Sequence, residues 1–161
     1  MNLEKMNREA LALYRRRKVG FIFQQYNLIP DLNVYDNILF PLELDGRQID
    51  KNFIRELMEV LNISNKKEML PSMLSGGEQQ RVAIARALGA KPSIILADEP
   101  TGNLDTMASH DVIGLLKILA KQYQQTIILI THDGDIAQMA DRIVRIEDGK
   151  IRKGSEPYAG K

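Results

Sequence analysis

Apolar positions along this chain follow two rhythms, helical spacing in some stretches and short unbroken runs in others. Residues 3–17 place Leu3, Met6, Ala10, Leu13 and Tyr14 at helical spacing on a charged segment. The run VGFIF, 19–23, predicts a buried strand ending at Gln24-Gln25. Residues 26–33 contain Pro30 and read as a loop. A helix is predicted over 34–44, with Asn33 as its cap and Asp45-Gly46 as its stop. A second covers 50–61, where Ile54, Leu57, Met58 and Leu61 share a face. After a polar connection over 65–72, a third covers 75–88 and is stopped by Gly89 and Pro92. Residues 94–97 read as a strand buried on both faces. Residues 106–123 form a long amphipathic helix, with Val112, Leu116, Leu119 and Tyr123 in register. TIILIT, 126–131, is another strand, and 137–140 a helical turn or two. Asp148-Gly149 signals a hairpin between 142–146 and 150–152.

Strands alternating with helices predict an α/β fold built on a parallel sheet. The long helical stretch then reads as an insertion. The chain is expected to be one domain over 1–161, with a sheet core in 19–25 and 90–155 and a helical arm in 28–88.

Composition narrows the function classes. The 161 residues are 44% apolar and 27% charged, ordinary for a globular domain with a sizeable core. A net charge of +1 gives no global field for nucleic acid. With no cysteine, disulfides and thiolate metal sites are excluded. No signal peptide is visible, and no run approaches the ~20 apolar residues that cross a bilayer. The one cationic cluster, RRRK at 15–18, could bind phosphate or simply suit a solvated helix C-terminus.

The chemistry is carried by a few short motifs. Ser75-Gly76-Gly77-Glu78 has the S-x-x-E form of a capping box. Ser75 would accept from the Glu78 amide, leaving its hydroxyl proton for a phosphate oxygen. The two glycines let a phosphate approach bare amides at the positive end of a helix. Taken alone the box is structural; followed by Gln79-Gln80-Arg81 it becomes far more specific. Asp98-Glu99 closes the strand IILA. One carboxylate there can hold Mg²⁺, usually through water, and the other can orient or deprotonate an attacking water. A solvated acidic pair is the alternative for Asp98-Glu99 in isolation. His132 directly follows TIILIT and could bond a terminal phosphate, or be a satisfied loop histidine. His110 reads as surface. Gln24, at a strand end, could reach both Mg²⁺ and water, though a lone glutamine means little.

Together these segments resemble the ATP-binding subunit of ABC transporters, from about Tyr14 to Arg152. VGFIFQQYNLIP resembles the family's Q-loop, with Gln24 in the functional place. LSGGEQQRVAIARAL resembles its signature segment, IILADEP its Walker B segment, GNLD with Asp105 its D-loop, and ITHD with His132 its switch segment. The wording NLIPDLNVYDNILFPL and DEPTGNLD is closest to the lipoprotein-release, macrolide-export and cell-division branch. The resemblance implies ATP bound between two subunits, on a phosphate loop of one and Ser75, Gly76, Gly77, Glu78 and Gln79 of the other. It implies Asp98 and Gln24 at Mg²⁺, Glu99 as catalytic base and His132 at the transferred group. It also implies a permease partner reached through residues 26–40 (Tyr26 to Phe40) and the helical arm, and a place on the cytoplasmic face of the cell membrane.

One family feature has no counterpart. No stretch reads G-x-x-x-x-G-K-[ST], the loop that cradles phosphates. The expectation is therefore a P-loop NTPase sheet that is N-terminally truncated and alone neither holds ATP tightly nor hydrolyses it. Four charge-assisted bonds at ~1.5 kcal/mol each would be missing, ~6 kcal/mol or about ten-thousandfold in affinity. By resemblance, the strand before that loop is expected between the Walker B strand and TIILIT, so that its absence would leave two unpaired edges. A complementing N-terminal fragment or a homodimer is the expected remedy. An ABC-type ATPase of DNA repair or translation would call for a basic face or large insertions, which are not visible; a non-enzymatic remnant is the other alternative.

Overall fold

The computed structural model describes residue 3 and residues 6–152, which divide into two compact units, one ending at Ile130 and the other starting at Thr131. Residues 4 and 5 of the first predicted helix, and 153–155 of the predicted sheet core, lie outside the described residues.

The first unit opens with α1 (Arg8–Lys18). It starts later than the apolar spacing suggested because Asn7 caps it, accepting from the Ala10 amide at 2.8 Å. None of its side chains is buried. Arg17 and Arg16 pair with Asp45 at 2.8 and 3.4 Å, so half of the RRRK run serves an ion pair. The Arg17 guanidinium beside Asp45 holds its carboxyl below the usual carboxylate range.

Three parallel strands follow in spatial order β1 (Val19–Phe23), β2 (Ile94–Asp98) and β3 (Thr126–Ile130). Phe21 lies beside Leu96, which lies beside Ile128. This corrects the expectation of a strand missing between β2 and β3. The two pair directly over their whole length, satisfying each other's ladder groups, and among the described residues the open edges are the outer ones of β1 and β3.

The helices are α2 (Val34–Leu44), α3 (Lys51–Val60), α4 (Gly76–Gly89) and α5 (Thr106–Gln122), joined by two short 3-10 turns at Ser64–Lys66 and Pro71–Met73. The first three start at or beside the polar residues the pattern marked, Asn33, Asp50 and Ser75, and the fourth is capped by Asp105, which the sequence offered only as a D-loop residue. Asn33, Asp50, Ser75 and Asp105 each accept a hydrogen bond from a first-turn amide. Helix α4 is the hub, packing on α2, α3, α5 and β1. Its Val82, Ile84 and Leu88 join Ile38, Leu57, Ile22, Ile95 and Leu116 in one core. At the far end of α5, Tyr123 and Gln122 both donate to Glu56 of α3, at 2.8 and 2.9 Å.

Among the described residues the sheet is covered on one face only. Ile22, Ile95 and Ala97 are buried beneath the helices. On the other face, Phe21 and Phe23 are 39% and 38% exposed, and Ile128 and Ile130 are 49% and 59% exposed. The expectation that residues 94–97 are buried on both faces is therefore corrected: β2 alternates buried and half-buried positions. Its continuous apolar run reflects two faces of which one is bare among the described residues.

The second unit holds α6 (Gly134–Gln138), capped by Asp133, and a hairpin of β4 (Ile146–Glu147) and β5 (Lys150–Ile151). Asp148 and Gly149 turn it with φ of 49° and 74°. The helix lies earlier than the predicted 137–140, since Asp133 offers its carboxylate to the amides of Asp135 and Ile136 at 2.8 and 3.2 Å.

Candidate functional site

The C-terminal ends of parallel strands are where α/β sheets hold ligands, and three of the candidate residues sit there. Gln24 follows Phe23 at the end of β1. Asp98 ends β2, in register between Phe23 and Ile130. By strand alternation it shares the bare face with them, and it is exposed. Glu99 then leaves the strand at φ 44°, a left-handed conformation that costs a side-chain-bearing residue about 1 kcal/mol. Two bonds over-determine that turn: the Glu99 amide donates to the Ile130 carbonyl at 2.9 Å, and the Gly102 amide donates to the Glu99 carbonyl at 3.0 Å. The strained position turns Glu99 off the strand's alternation at the half-buried rim.

The loop after β2 closes against Gln24. A Cβ on Gly102 would lie 2.7 Å from Gln24 Nε2, so a larger residue there would push the Gln24 amide aside. Gln24 Nε2 donates to Asn103 Oδ1 at 3.2 Å, and Asn103 Nδ2 donates to the Gln24 carbonyl at 2.9 Å. Asp105, expected in the D-loop, caps α5 by accepting from the Ala108 amide at 2.8 Å.

Ser75, Gly76, Gly77 and Glu78 open α4 as a full capping box. Ser75 Oγ accepts from the Glu78 amide at 3.3 Å, and Glu78 Oε2 accepts from the Ser75 amide at 2.8 Å. That backbone bond, with Lys66 3.1 Å away, holds the Glu78 carboxyl below its usual range despite partial burial. Gln79 Nε2 donates to the Leu74 carbonyl at 3.2 Å. Gly76 also lies in close quarters: a Cβ there would sit 2.8 Å from the Tyr26 hydroxyl and 3.3 Å from Leu104. Tyr26 and the loop after β2 therefore both come up against the start of α4 at Gly76.

His132 lies in the second unit and is exposed, between Thr131 and the helix cap Asp133, whose amide donates to Thr131 Oγ1 at 3.0 Å. His110 is on the exposed side of α5.

Three residues escaped the sequence reading. Asn103 partners Gln24. Asn37, buried in α2, holds the loop after Gln24 by donating to the Ile29 and Leu32 carbonyls and accepting from the Ile29 amide. Arg86 of α4 donates to the Tyr26 and Asn27 carbonyls. A lone cation inside the apolar run VAIARAL was the available signal for Arg86. Asn37 and Asn103 carried none, since one amide in a helix or loop is unremarkable.

Asp98 and Gln24 offer a carboxylate and an amide oxygen, hard donors of the kind Mg²⁺ accepts alongside water and phosphate oxygens. Among the described residues no three His, Asp or Glu side chains converge as a metal cage.

Comparison with known proteins bears on this arrangement. The family model described as ABC transporter matches residues 3–102. The ABC transporter ATP-binding protein YbbA of Escherichia coli K12 is 40% identical over 153 residues, covering 94% of this chain and 67% of YbbA. The macrolide export ATP-binding/permease protein MacB of Syntrophobacter fumaroxidans is 45% identical over 92% of this chain and 21% of its own length. An ATP-binding relative from Mycoplasma genitalium is 44% identical over 92% of this chain, which spans about half of it, 48%. The dimeric structure of MJ0796, a bacterial ABC transporter cassette, superposes with a TM-score of 0.79 at 38% identity, over 97% of this chain and 69% of that one. No helix among the described residues is long and apolar enough to cross a membrane.

Proposed function

The chain belongs to the ABC transporter family, and from that premise we propose that it supplies the water-activating and phosphate-closing surfaces of an ATPase that drives a membrane permease from the cytoplasmic face. The observation that carries this reading is the gathering of Gln24, Asp98 and Glu99 at one end of the parallel sheet, together with a capped helix whose Gly76, next to Ser75, meets the loop after β2 at Leu104.

In this reading Ser75 donates its hydroxyl proton to a phosphate oxygen of ATP held mainly by another subunit. The capping bond uses the Ser75 oxygen as an acceptor, so the proton is available. The Gly76 and Gly77 amides are first-turn donors with no intrahelical partner, and they face the same anion. Lys66 offsets the charge of Glu78, which would otherwise oppose it. Glu99 orients the attacking water and accepts its proton. Asp98 and the Gln24 amide oxygen hold Mg²⁺, which when bound neutralises charge on the phosphates. Asp105 caps the helix behind the dimer-facing loop. The role of His132 at the transferred phosphate rests on the family resemblance alone.

The reading includes a partner. The chain spans 67% of YbbA and 69% of the MJ0796 cassette, and its own residues hold no G-x-x-x-x-G-K-[ST]. The remaining third of such a cassette is the fitting occupant of the bare sheet face and the open edge of β3. Phe21, Phe23, Ile128 and Ile130 leave about 350 Å² of apolar side chain to cover, within the range of functional patches. Covering it is worth ~9 kcal/mol gross, comparable to the cost of association, so edge pairing must add to it. A groove of about 380 Å³ between Tyr26, Leu28, Pro30, Pro71, Ser72 and Gln79 is where the permease would engage segment 26–40.

The test is calorimetric. ATP titrated into the 161-residue chain is expected to give no micromolar binding, and to bind once a polypeptide with the phosphate loop is added. Micromolar binding by the chain alone refutes the division of labour.

A further inference from the structure

Gln24 is held from two sides by two different elements. On its side chain, Nε2 donates to Asn103 Oδ1 at 3.2 Å while Asn103 Nδ2 returns a bond to the Gln24 carbonyl at 2.9 Å. This reciprocal pair fixes which way the amide faces. The nitrogen is occupied by the loop after β2, and the oxygen accepts no hydrogen bond from the described residues.

Behind Gln24 the backbone turns through Tyr26 and Asn27, both left-handed at φ 47° and 50°. Side-chain-bearing residues hold such a turn only when their surroundings over-determine it. Arg86 does so from α4. One guanidinium nitrogen donates to the Tyr26 carbonyl at 2.7 Å and the other to the Asn27 carbonyl at 2.5 Å. A guanidinium can bridge consecutive carbonyls because its donors form a rigid planar fork, whereas an ammonium is a point charge. Arg86 lies about three turns along the helix that begins at Ser75. At the other end of the same helix, Gly76 abuts the Tyr26 hydroxyl. The turn after Gln24 is thus bonded to α4 near one end of that helix, and its Tyr26 side chain lies against the other end.

We propose that Arg86 and Asn103 are positioning residues for Gln24: Asn103 turns the amide oxygen outward to face a cation or water, and Arg86 ties the following turn to α4, so that movement of the signature helix is passed to Gln24. This deepens the reading of Gln24 given above, and its functional half rests on that reading. Neither residue touches nucleotide in this scheme. Both act through Gln24.

Nitrogen-15 NMR of the 161-residue chain tests the positional half without nucleotide. Asn103→Ala, at an exposed site, is expected to move the Gln24 side-chain NH₂ signals to free-amide positions with unchanged thermal stability. Arg86→Met is expected to speed amide exchange at Tyr26 and Asn27 about tenfold or more over that at Ile38 and Ile84, the scale of a lost charge-assisted bond. It should also shift the Gln24 side-chain signals, and Arg86→Lys should restore part of both effects. Uniform acceleration through α2 and α4, or Gln24 signals indifferent to Arg86→Lys and Asn103→Ala, overturns the proposal. If Arg86→Met does not fold, Arg86→Lys carries the comparison. In an assembly completed with the phosphate loop, Asn103→Ala should raise the Mg²⁺ concentration for half-maximal turnover at unchanged KM for ATP. An unchanged Mg²⁺ dependence overturns the amide's role. No turnover by the unaltered assembly instead rejects the wider functional reading and leaves the NMR result standing.

Discussion

Replacing isoleucine by threonine on opposite faces of the sheet separates a docking surface from a core. Ile128 and Ile130 of β3 lie on the bare face, 49% and 59% exposed, while Ile95 of β2 is fully buried on the other. Threonine keeps the β-branched shape and the strand preference, so the main variable is the hydroxyl and the lost apolar area. In the chain alone, Ile95→Thr should cost about 3 kcal/mol, from a small cavity and a hydroxyl buried without a partner. The double variant Ile128→Thr/Ile130→Thr should cost less than about 1 kcal/mol, since its hydroxyls stay in water. With an occupant on the face the order changes. By the same area bookkeeping the exposed part of each isoleucine contributes ~2 kcal/mol on docking, and threonine, which keeps one methyl, gives up about half of it. The double variant should then weaken capture by about 2 kcal/mol, about thirtyfold. Urea midpoints at constant slope report the first comparison. Titration with the part of the YbbA cassette that has no counterpart in this chain reports the second. If the double variant is as destabilised alone as Ile95→Thr, the face is already covered within the chain. If it captures the occupant with unchanged affinity, the face is not where the occupant docks.

Other outcomes follow from single contacts. Ser75→Ala removes the acceptor for the Glu78 amide and should lower stability by about 1 kcal/mol in urea unfolding, whether or not nucleotide is ever bound; no change would mean that the cap contributes nothing. Burial, and then its bond to Glu56, push the Tyr123 hydroxyl from 10.0 to about 12. The folded chain therefore resists ionisation that the unfolded chain allows. The α3–α5 junction should be at full strength below pH 10 and lose it as pH rises toward 12, and Tyr123→Phe should abolish that slope. In a completed assembly Glu99→Gln should retain ATP without hydrolysing it, and rapid turnover by that variant would remove Glu99 from the role of base.

Much of the local structure was legible in the chain. Asn33, Asp50 and Ser75 begin their helices where a short polar side chain precedes an apolar rhythm, because capping depends only on neighbouring residues. VGFIF and TIILI became strands for a similar reason: short β-branched and aromatic runs between turn signals leave few other choices. The motifs named the family because their wording is long and specific, and the family model agrees over residues 3–102.

Relations between distant segments had to wait for the tertiary structure. That β2 lies against β3, with no strand between them, depends on which apolar edges meet, and an apolar run carries no address. The bare face was hidden for the same reason, since residues 94–97 read alike whether one face or two are covered. Gln24 meets Asn103, and Arg86 meets the carbonyls of Tyr26 and Asn27, across stretches of chain far longer than any local rule spans. Residue types and their spacing determined which groups can cap, pair or donate; the folded chain alone decided which of them face one another, because hydrogen-bond partners are chosen by distance in space and not along the sequence.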